Sequence, residues 1–197
     1  MCAKAVALAA RPEGMPKTSD FQIVDIESND PADGEIQVKN ICMSVDPYMR
    51  GRMVDRKSYV PPFQIGEPLT GGAIGKVIKS AHPDFKEGDF VSSHWGWRDG
   101  FTARAEGIER LGEIVAPASE YLGAIGMPGM TAYAGLLEVG ALKDGETVFV
   151  SGAAGAVGSI VGQIAKLKNC HVIGSAGNNE KVELLTKELG FDSAFNY

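Results

Sequence analysis

Apolar and polar positions follow two different rhythms along this chain. From Ala3 to about Pro117 short apolar or alternating runs are separated by turn-forming residues, a pattern typical of β-strands. The predicted strands include AVALAA, FQIVDIE, EIQVKNICMSV, GGAIGKVIKS and DFVSSHW. This part of the chain is therefore expected to form a sheet-rich domain, either an irregular barrel or a sandwich.

After Ser119 the apolar residues recur at helical spacing between short buried runs. The pattern predicts helices at SEYLGAIG, GMTAYAGLLEVG, AVGSIVGQIAKLKN and NNEKVELLTKELG, and strands at TVFVSG, HVIGSAG and SAFNY. The order from TVFVSG onwards is the βαβαβ half of a doubly wound parallel sheet. We therefore predict an α/β protein with a β-rich domain over 1–120 and the first half of a Rossmann domain over 121–197. Because the second half of that sheet is absent, we expect the chain to be part of a longer protein.

Charge and composition exclude several functional classes. The 197 residues carry a formal net charge of −6, and no run of Lys or Arg exceeds a pair, so nucleic acid is not an expected partner. The uncharged segment between Glu120 and Glu138 is short for a membrane span and is interrupted by Pro128. The cysteines are odd in number and far apart, which predicts free thiols and a cytoplasmic location: Cys2, Cys42 and Cys170.

Three evenly spaced glycines separate the predicted strand TVFV from the helix that follows: Gly152, Gly155 and Gly158. A phosphate pair can lie on such a turn only where backbone N–H groups approach it without an obstructing side chain. The strand before, the helix after and the second strand are typical of a dinucleotide-binding turn, whereas a Walker loop would need a lysine directly after the last glycine. The alternative is a tight turn with a purely structural role.

The residues after the second strand indicate which dinucleotide binds. In NAD-binding turns an acidic residue at the end of that strand hydrogen-bonds the ribose 2′-hydroxyl. Here the first acid, Glu180, comes later, while Gly177 leaves space and Lys181 supplies a positive charge, so the sequence favours NADP. Alternatively, Glu180 and Lys181 are surface residues of a first helical turn. In either case Asn178 is expected to be the N-cap.

The glycine turn lies behind a β-rich domain, and in this the sequence resembles the medium-chain dehydrogenase/reductase superfamily. It is most similar to the zinc-independent group that contains prostaglandin reductases, alkenal double-bond reductases and bacterial curcumin reductase. The resemblance is carried by SVDPYMRGRM, HPDFKEGD, GMPGMTAYAGLLEVG, SGAAGAVGSIVGQIAKLKNC and SAGNNEKVELLTKELGFDSAFNY. It implies a GroES-like N-terminal domain and NADPH-dependent reduction of the C=C bond of α,β-unsaturated aldehydes and ketones.

The resemblance also implies roles for individual residues. Contact with the cofactor pyrophosphate is implied for Gly155, Ala156, Val157 and Gly158. Binding of the adenosine 2′-phosphate end and the adjacent phosphate is implied for Gly177, Lys181 and Tyr197. A position against the nicotinamide is implied for Pro47, Met127 and Thr131, and a position facing the substrate for Tyr48 and Tyr59.

The chemistry of enone reduction needs a hydrogen-bond donor. Hydride arriving at the β-carbon moves negative charge onto the carbonyl oxygen, and a proton must then reach the α-carbon. A tyrosine phenol can donate to that oxygen without carrying charge. Tyr48 follows the Asp46-Pro47 turn and is the leading candidate to polarise or orient the substrate. The alternatives are a tyrosine packed at a domain boundary and, for Met127 and Thr131, an interdomain core helix.

Metal-dependent chemistry is not expected. Zinc-dependent members of the superfamily carry a catalytic Cys/His/Glu set and a lobe of four closely spaced cysteines. Neither pattern occurs in this chain, whose histidines are scattered at His82, His94 and His171. Two other hypotheses remain open, namely a zinc-free NADPH quinone reductase and a non-catalytic NADPH-binding relative. The resemblance further implies a homodimer for the full-length protein.

Overall fold

The computed structural model describes residues 2–58 and 60–197. Tyr59, one of the two predicted substrate-facing tyrosines, lies outside the described residues. The chain forms two compact units, Met1–Leu122 and Gly123–Tyr197. The first unit is β-rich and the second contains a parallel sheet with helices, which confirms the predicted fold class.

The first unit contains two antiparallel sheets. A two-stranded sheet pairs β1 (Cys2–Leu8) with β2 (Phe21–Glu27). A five-stranded sheet has the order β6-β3-β4-β5-β7 and is built from β3 (Glu35–Met43), β4 (Ala73–Ser80), β5 (Phe90–Ser93), β6 (Gly100–Arg104) and β7 (Glu109–Gly112). The remaining elements are the helix α1 (Tyr48–Arg52) and two 3₁₀ turns, Thr18–Asp20 and Ala118–Leu122.

Alternation along the strands places the core of this unit. Ile36 and Val38 of β3 are buried beside Val77 of β4 and Val91 of β5. Side chains two residues apart on a strand share one face, so β-branched residues at this spacing cover a single side of the sheet. The strands β6 and β7 were missed in the sequence because their short runs carry polar residues throughout, as in GFTAR and ERLG.

The helix α1 is held by two methionines. Met49 and Met53 are four residues apart and lie on one helical face, where both pack into a second buried cluster with Leu8 and Leu69. Its five residues are too few to produce a recognisable helical period, which is why the sequence pattern did not predict it. The buried methionines fix α1, while Tyr48 at its start stays exposed.

The second unit begins with helical segments and then alternates strands and helices along the chain. It contains α2 (Met127–Tyr133), a π-helical segment (Ala134–Val139), β8 (Thr147–Val150), α3 (Ala156–Leu167), β9 (His171–Ala176), α4 (Asn179–Lys187) and β10 (Ser193–Asn196). The strands pair in parallel in the order β10-β9-β8, as the βαβαβ prediction requires. None of the helices among the described residues combines the length and apolar character needed to cross a membrane.

The helix predicted at SEYLGAIG was wrong. Only the 3₁₀ turn Ala118–Leu122 forms there, and the chain then turns at Gly123, whose carbonyl accepts from the N–H groups of Gly126 and Gly129. Glycine gains little from helix formation because it loses more backbone entropy than other residues. The helical turn therefore ends before Gly123, and a separate helix, α2, begins after Gly126.

Candidate functional site

The three glycines of the turn after β8 have different structural roles. Gly152 has a φ of +57°, a left-handed conformation that glycine adopts without strain. Its carbonyl oxygen accepts from the N–H of Gly155 at 2.9 Å. A Cβ on Gly158 would lie only 2.7 Å from that same oxygen. The first glycine thus makes the turn, and the third lets α3 approach it closely.

The start of α3 presents free backbone donors. Gly155 is its N-cap in an extended conformation, and no side chain caps the helix. The N–H groups of Ala156, Val157 and Gly158 donate to no group among the described residues. First-turn amides have no partner within their own helix, and together with the helix dipole they attract anions. The Gly155 N–H, in contrast, is occupied within the turn.

Five of the predicted cofactor-binding residues line one pocket of about 210 Å³ beside this turn. The pocket is lined by Gly152, Ala154, Gly155, Ala176, Gly177, Lys181 and Tyr197. Ala154 and Ala176 were not predicted from the sequence, because a small side chain is the only signal that either residue offers. Lys181 carries the sole charged side chain among the described lining residues, and Glu180 is not one of them. The pocket is therefore electropositive and suits a phosphate.

The position of Lys181 depends on the cap of α4. The side chain of Asn178 accepts from the backbone N–H of Lys181 at 2.8 Å, which confirms the predicted N-cap. Because α4 begins directly after β9, this bond places Lys181 in the first turn beside the end of that strand. A Cβ on Gly177 would stand 3.8 Å from the Tyr197 hydroxyl, so Gly177 and Tyr197 are neighbours across the pocket.

Met127 and Thr131 lie one turn apart on α2, which packs beside α3. The Thr131 hydroxyl donates to the Met127 carbonyl at 2.7 Å and lies 3.3 Å from the Met127 sulfur. Its proton is thus used within the helix, and its oxygen lone pairs remain for a ligand. Gly129 is required here because a Cβ at that position would overlap the carbonyl of Ala124.

Pro47 and Tyr48 begin α1 in the first unit. Pro47 is the N-cap with a φ of −55°, and Tyr48 is the first helical residue and is 41% exposed. The preceding turn is fixed at Asp46, whose carboxylate accepts from the Ser44 hydroxyl at 2.6 Å and whose carbonyl accepts from the Met49 N–H at 3.0 Å. These bonds hold the backbone of Tyr48 in one direction.

Tyr48 lines a pocket of about 510 Å³ together with Pro47, Arg50, Gly51, Arg52, Val54, Arg56, Ser58, Val60 and Pro62. The three arginines of this pocket were not predicted from the sequence. A search for runs of basic residues does not find them because Arg50 and Arg52 are separated by Gly51, and Arg56 lies four residues further on. The helix α1 and the loop after it bring them together.

Asp192 supports the second unit away from the glycine turn. Its carboxylate accepts from the Lys166 ammonium at 2.8 Å and from the Val172 N–H at 2.6 Å, so it joins the end of α3 to the start of β9. The hydrogen bond from Lys166, followed by the one from Val172, holds the pKa of Asp192 below its usual value.

Cysteines and possible metal ligands are dispersed. Cys2 is exposed, Cys42 partly buried and Cys170 buried, and all three are free thiols, as predicted. Burial raises the pKa of the Cys42 thiol. Over residues 2–58 and 60–197, no group of three or more His, Cys, Asp or Glu side chains is arranged to hold a metal ion.

Comparison with known proteins identifies relatives of the whole chain. The family model of the N-terminal domain of oxidoreductase matches residues 4–111. The putative NADP-dependent oxidoreductase YfmJ of Bacillus subtilis is 49% identical over 192 residues, which cover 98% of this chain and 56% of that protein. The NADP-dependent 2-alkenal reductase of Nicotiana tabacum is 47% identical and covers 98% and 58%.

A solved structure is also similar. The crystal structure of CurA from Vibrio vulnificus in complex with NADPH matches with a TM-score of 0.91 and 43% identity, over 98% of this chain and 58% of that one. The chain thus spans just over half the length of these relatives. It belongs to the oxidoreductase family whose N-terminal domain covers residues 4–111, which confirms its resemblance to the NADP-dependent medium-chain reductases.

Proposed function

We propose that this protein transfers a hydride from NADPH to the C=C bond of α,β-unsaturated aldehydes or ketones. The observation that carries the proposal is the group of three unpaired amides at the start of α3, next to a pocket whose charged side chain is Lys181. The names of relatives such as the tobacco 2-alkenal reductase support the same chemistry. In the reaction, hydride reaches the β-carbon and a proton the α-carbon, so the alkene is reduced and NADPH is oxidised.

The residues of the second unit fit the phosphates of this cofactor. The amides of Ala156, Val157 and Gly158 would hold the pyrophosphate, and the missing Cβ of Gly158 keeps the turn compact enough to expose them. Lys181, with Gly177 and Tyr197, would bind the 2′-phosphate. When bound, the cofactor supplies the hydride; we place Pro47, Met127 and Thr131 against its nicotinamide, as in the resemblance.

Tyr48 would donate a hydrogen bond to the substrate carbonyl. Its exposure and the rigid turn before it support this role, because a preorganised donor stabilises the charge that develops on the carbonyl oxygen. The core methionines of α1 hold the tyrosine backbone while the substrate binds. We propose Tyr59 as a second substrate-facing residue on the resemblance alone.

The cofactor part of the proposal is tested with Lys181→Ala. Loss of a charge-assisted hydrogen bond to the 2′-phosphate should weaken NADPH binding by about tenfold. NADH binding should not change, since NADH has no such phosphate. Lys187→Ala removes the same charge from an exposed lysine of α4 and should leave both affinities unaltered. Titration by nicotinamide fluorescence measures the dissociation constants of NADPH and NADH for the wild type and both variants. A preserved preference for NADPH in Lys181→Ala contradicts the proposal.

The catalytic part is tested by NADPH consumption with a 2-alkenal. Tyr48→Phe removes only the hydroxyl and should lower kcat by about a hundredfold, the usual effect of losing one donor to a developing oxyanion. NADPH affinity should be unchanged in this variant. Faster turnover of quinones than of 2-alkenals would favour the quinone reductase hypothesis. Tight NADPH binding without acceptor-dependent oxidation would indicate a non-catalytic relative.

A further inference from the structure

Two consecutive asparagines begin α4, and each makes a different side-chain hydrogen bond. The Asn178 side chain caps the helix by accepting from the Lys181 N–H at 2.8 Å. Asn179 is the first helical residue, and its side-chain oxygen accepts from the side-chain amide of Asn196 at 3.0 Å. Asn196 is the last residue of β10 and directly precedes Tyr197. The second asparagine therefore joins the start of α4 to the end of β10.

The register of the parallel sheet explains why this bond forms. Asn196 is paired with Ala176, the last residue of β9, and α4 begins soon after that strand ends. Ala194, two residues before Asn196, packs against the core cluster that contains Leu185 of α4. Because residues two apart on a strand share a face, the Asn196 side chain is directed toward α4.

Tyr197 has few other restraints. Its side chain is 78% exposed, and its N–H donates to the Ala176 carbonyl at 3.3 Å, which is long for a hydrogen bond. Within the described part of the chain its hydroxyl has no hydrogen-bond partner. That hydroxyl nevertheless lies beside Gly177, on the wall of the pocket that Lys181 also lines. The firm contact nearest to it is the bond made by the preceding residue, Asn196.

The charged side chain of this pocket is also held loosely. The Lys181 ammonium makes no hydrogen bond or ion pair with any described residue. A long flexible side chain loses rotamer freedom when it binds an anion, and a second donor of fixed position reduces the total cost of ordering the site. Lys181 belongs to α4, whereas Tyr197 follows β10, so the distance between the two donors depends on how these elements are joined.

We infer that Asn179 and Asn196 are positioning residues that determine cofactor selectivity. Their bond holds Tyr197 at the distance from Lys181 at which both side chains donate to one 2′-phosphate. The inference rests on the proposed function, since it takes NADPH as the cofactor. Neither asparagine lines the pocket, so both act through Tyr197.

Equilibrium binding of nucleotide fragments tests the inference without requiring turnover. Calorimetric titration of the whole chain compares adenosine 2′,5′-bisphosphate with adenosine 5′-monophosphate, which lacks the 2′-phosphate. Asn196→Ala should weaken binding of the bisphosphate by about fivefold and that of the monophosphate by less than about twofold. Asn179→Ala should have the same effect. The double variant should also lose only about fivefold, because both substitutions remove one and the same bond.

Two further variants distinguish positioning from a general structural role. Asn196→Gln keeps an amide donor and should recover part of the selectivity. Thr186→Ala removes another exposed hydrogen-bonding side chain of α4 that does not line the pocket, and it should leave both affinities unchanged. Parallel losses for the two nucleotides would overturn the inference, as would additive losses in the double variant or unchanged affinities in both alanine variants.

NADPH consumption with a 2-alkenal separates this inference from the proposed function. If the wild type reduces 2-alkenals and the asparagine variants keep its preference for NADPH over NADH, the reductase function stands and the positioning role is wrong. If no 2-alkenal is reduced but the bisphosphate affinities follow the expected pattern, the reductase function fails and the positioning role stands. A wild type that does not distinguish the two nucleotides would contradict both the phosphate site and the role of the asparagines.

Discussion

Gly158 illustrates how much a single residue decides in this protein. Its backbone must pass close to the carbonyl of Gly152, and any side chain would meet that oxygen and the Cα of Ala153 at under 3 Å. The same close approach orients the free amides of the first turn of α3. The conformation of the turn and the proposed binding of the cofactor there therefore both depend on the absence of a Cβ at Gly158. The glycine spacing was visible in the sequence, whereas the occupied N–H of Gly155 was not.

We expect Gly158→Ala to lose stability and cofactor binding together. Alanine is normally better than glycine in a helix by about 1 kcal/mol, but overpacking against fixed backbone costs about 1–3 kcal/mol. The unfolding temperature should fall, and NADPH should bind about tenfold more weakly because the turn is displaced. Gly135→Ala is the matched control, since a Cβ there meets nothing within 4 Å. A Gly158→Ala protein as stable as the wild type would show that the turn can relax.

At the scale of elements, short segments without a pattern of their own are the ones the sequence did not predict. The five-residue helix α1 forms because two methionines enter a core built by β1 and by residues near Phe63. That core consists of residues distant in sequence, so no local period announces the helix. The longer α3 and α4 were predicted with boundaries close to those observed, since their apolar positions recur over several turns.

Truncation of a core methionine of α1 should be costly, whereas truncation of an exposed one should not. Met49 is 2% exposed and its Cε lies 2.5 Å from the site of a Cβ on Gly71. We expect Met49→Ala to lower the free energy of unfolding of its unit by about 3 kcal/mol, because it leaves a cavity. Met15→Ala, at a residue 83% exposed, should change it by less than about 0.5 kcal/mol. Urea denaturation measures both, and equal effects would show that α1 is not anchored by this side chain.

Over the whole molecule, charge is distributed unevenly, and the net charge does not reveal this. The net charge of −6 argued against nucleic acid as a partner, but it gave no indication of the arginines beside Tyr48 or of Lys181 in its pocket. Ion pairs also hold distant elements together. Asp192 connects Lys166 near the end of α3 with Val172 at the start of β9, which precede it by 26 and 20 residues.

The Asp192 anchor predicts a pH dependence. Because the pKa of Asp192 is lower in the folded state, the carboxylate stabilises the fold above the unfolded value of about 3.9, and this contribution is lost as the pH falls through the folded pKa. The unfolding temperature should therefore drop on acidification. Asp192→Asn should unfold earlier at neutral pH and lose less on acidification than the wild type. Asp33→Asn, at an exposed carboxylate without an ion pair among the described residues, should retain the wild-type profile. Parallel curves for Asp192→Asn and the wild type would contradict the assignment.

The sequence by itself determined the fold class, the βαβαβ order, the glycine turn and the cap at Asn178, and its motifs indicated the family. These features depend on local spacing, since periodicity, turns and caps act over a few residues. Only the tertiary structure decided which amides are free, that Tyr197 lies beside Gly177, and that three separated arginines share a pocket with Tyr48. Such groupings arise from packing between segments, and no local pattern encodes which side chains it brings together.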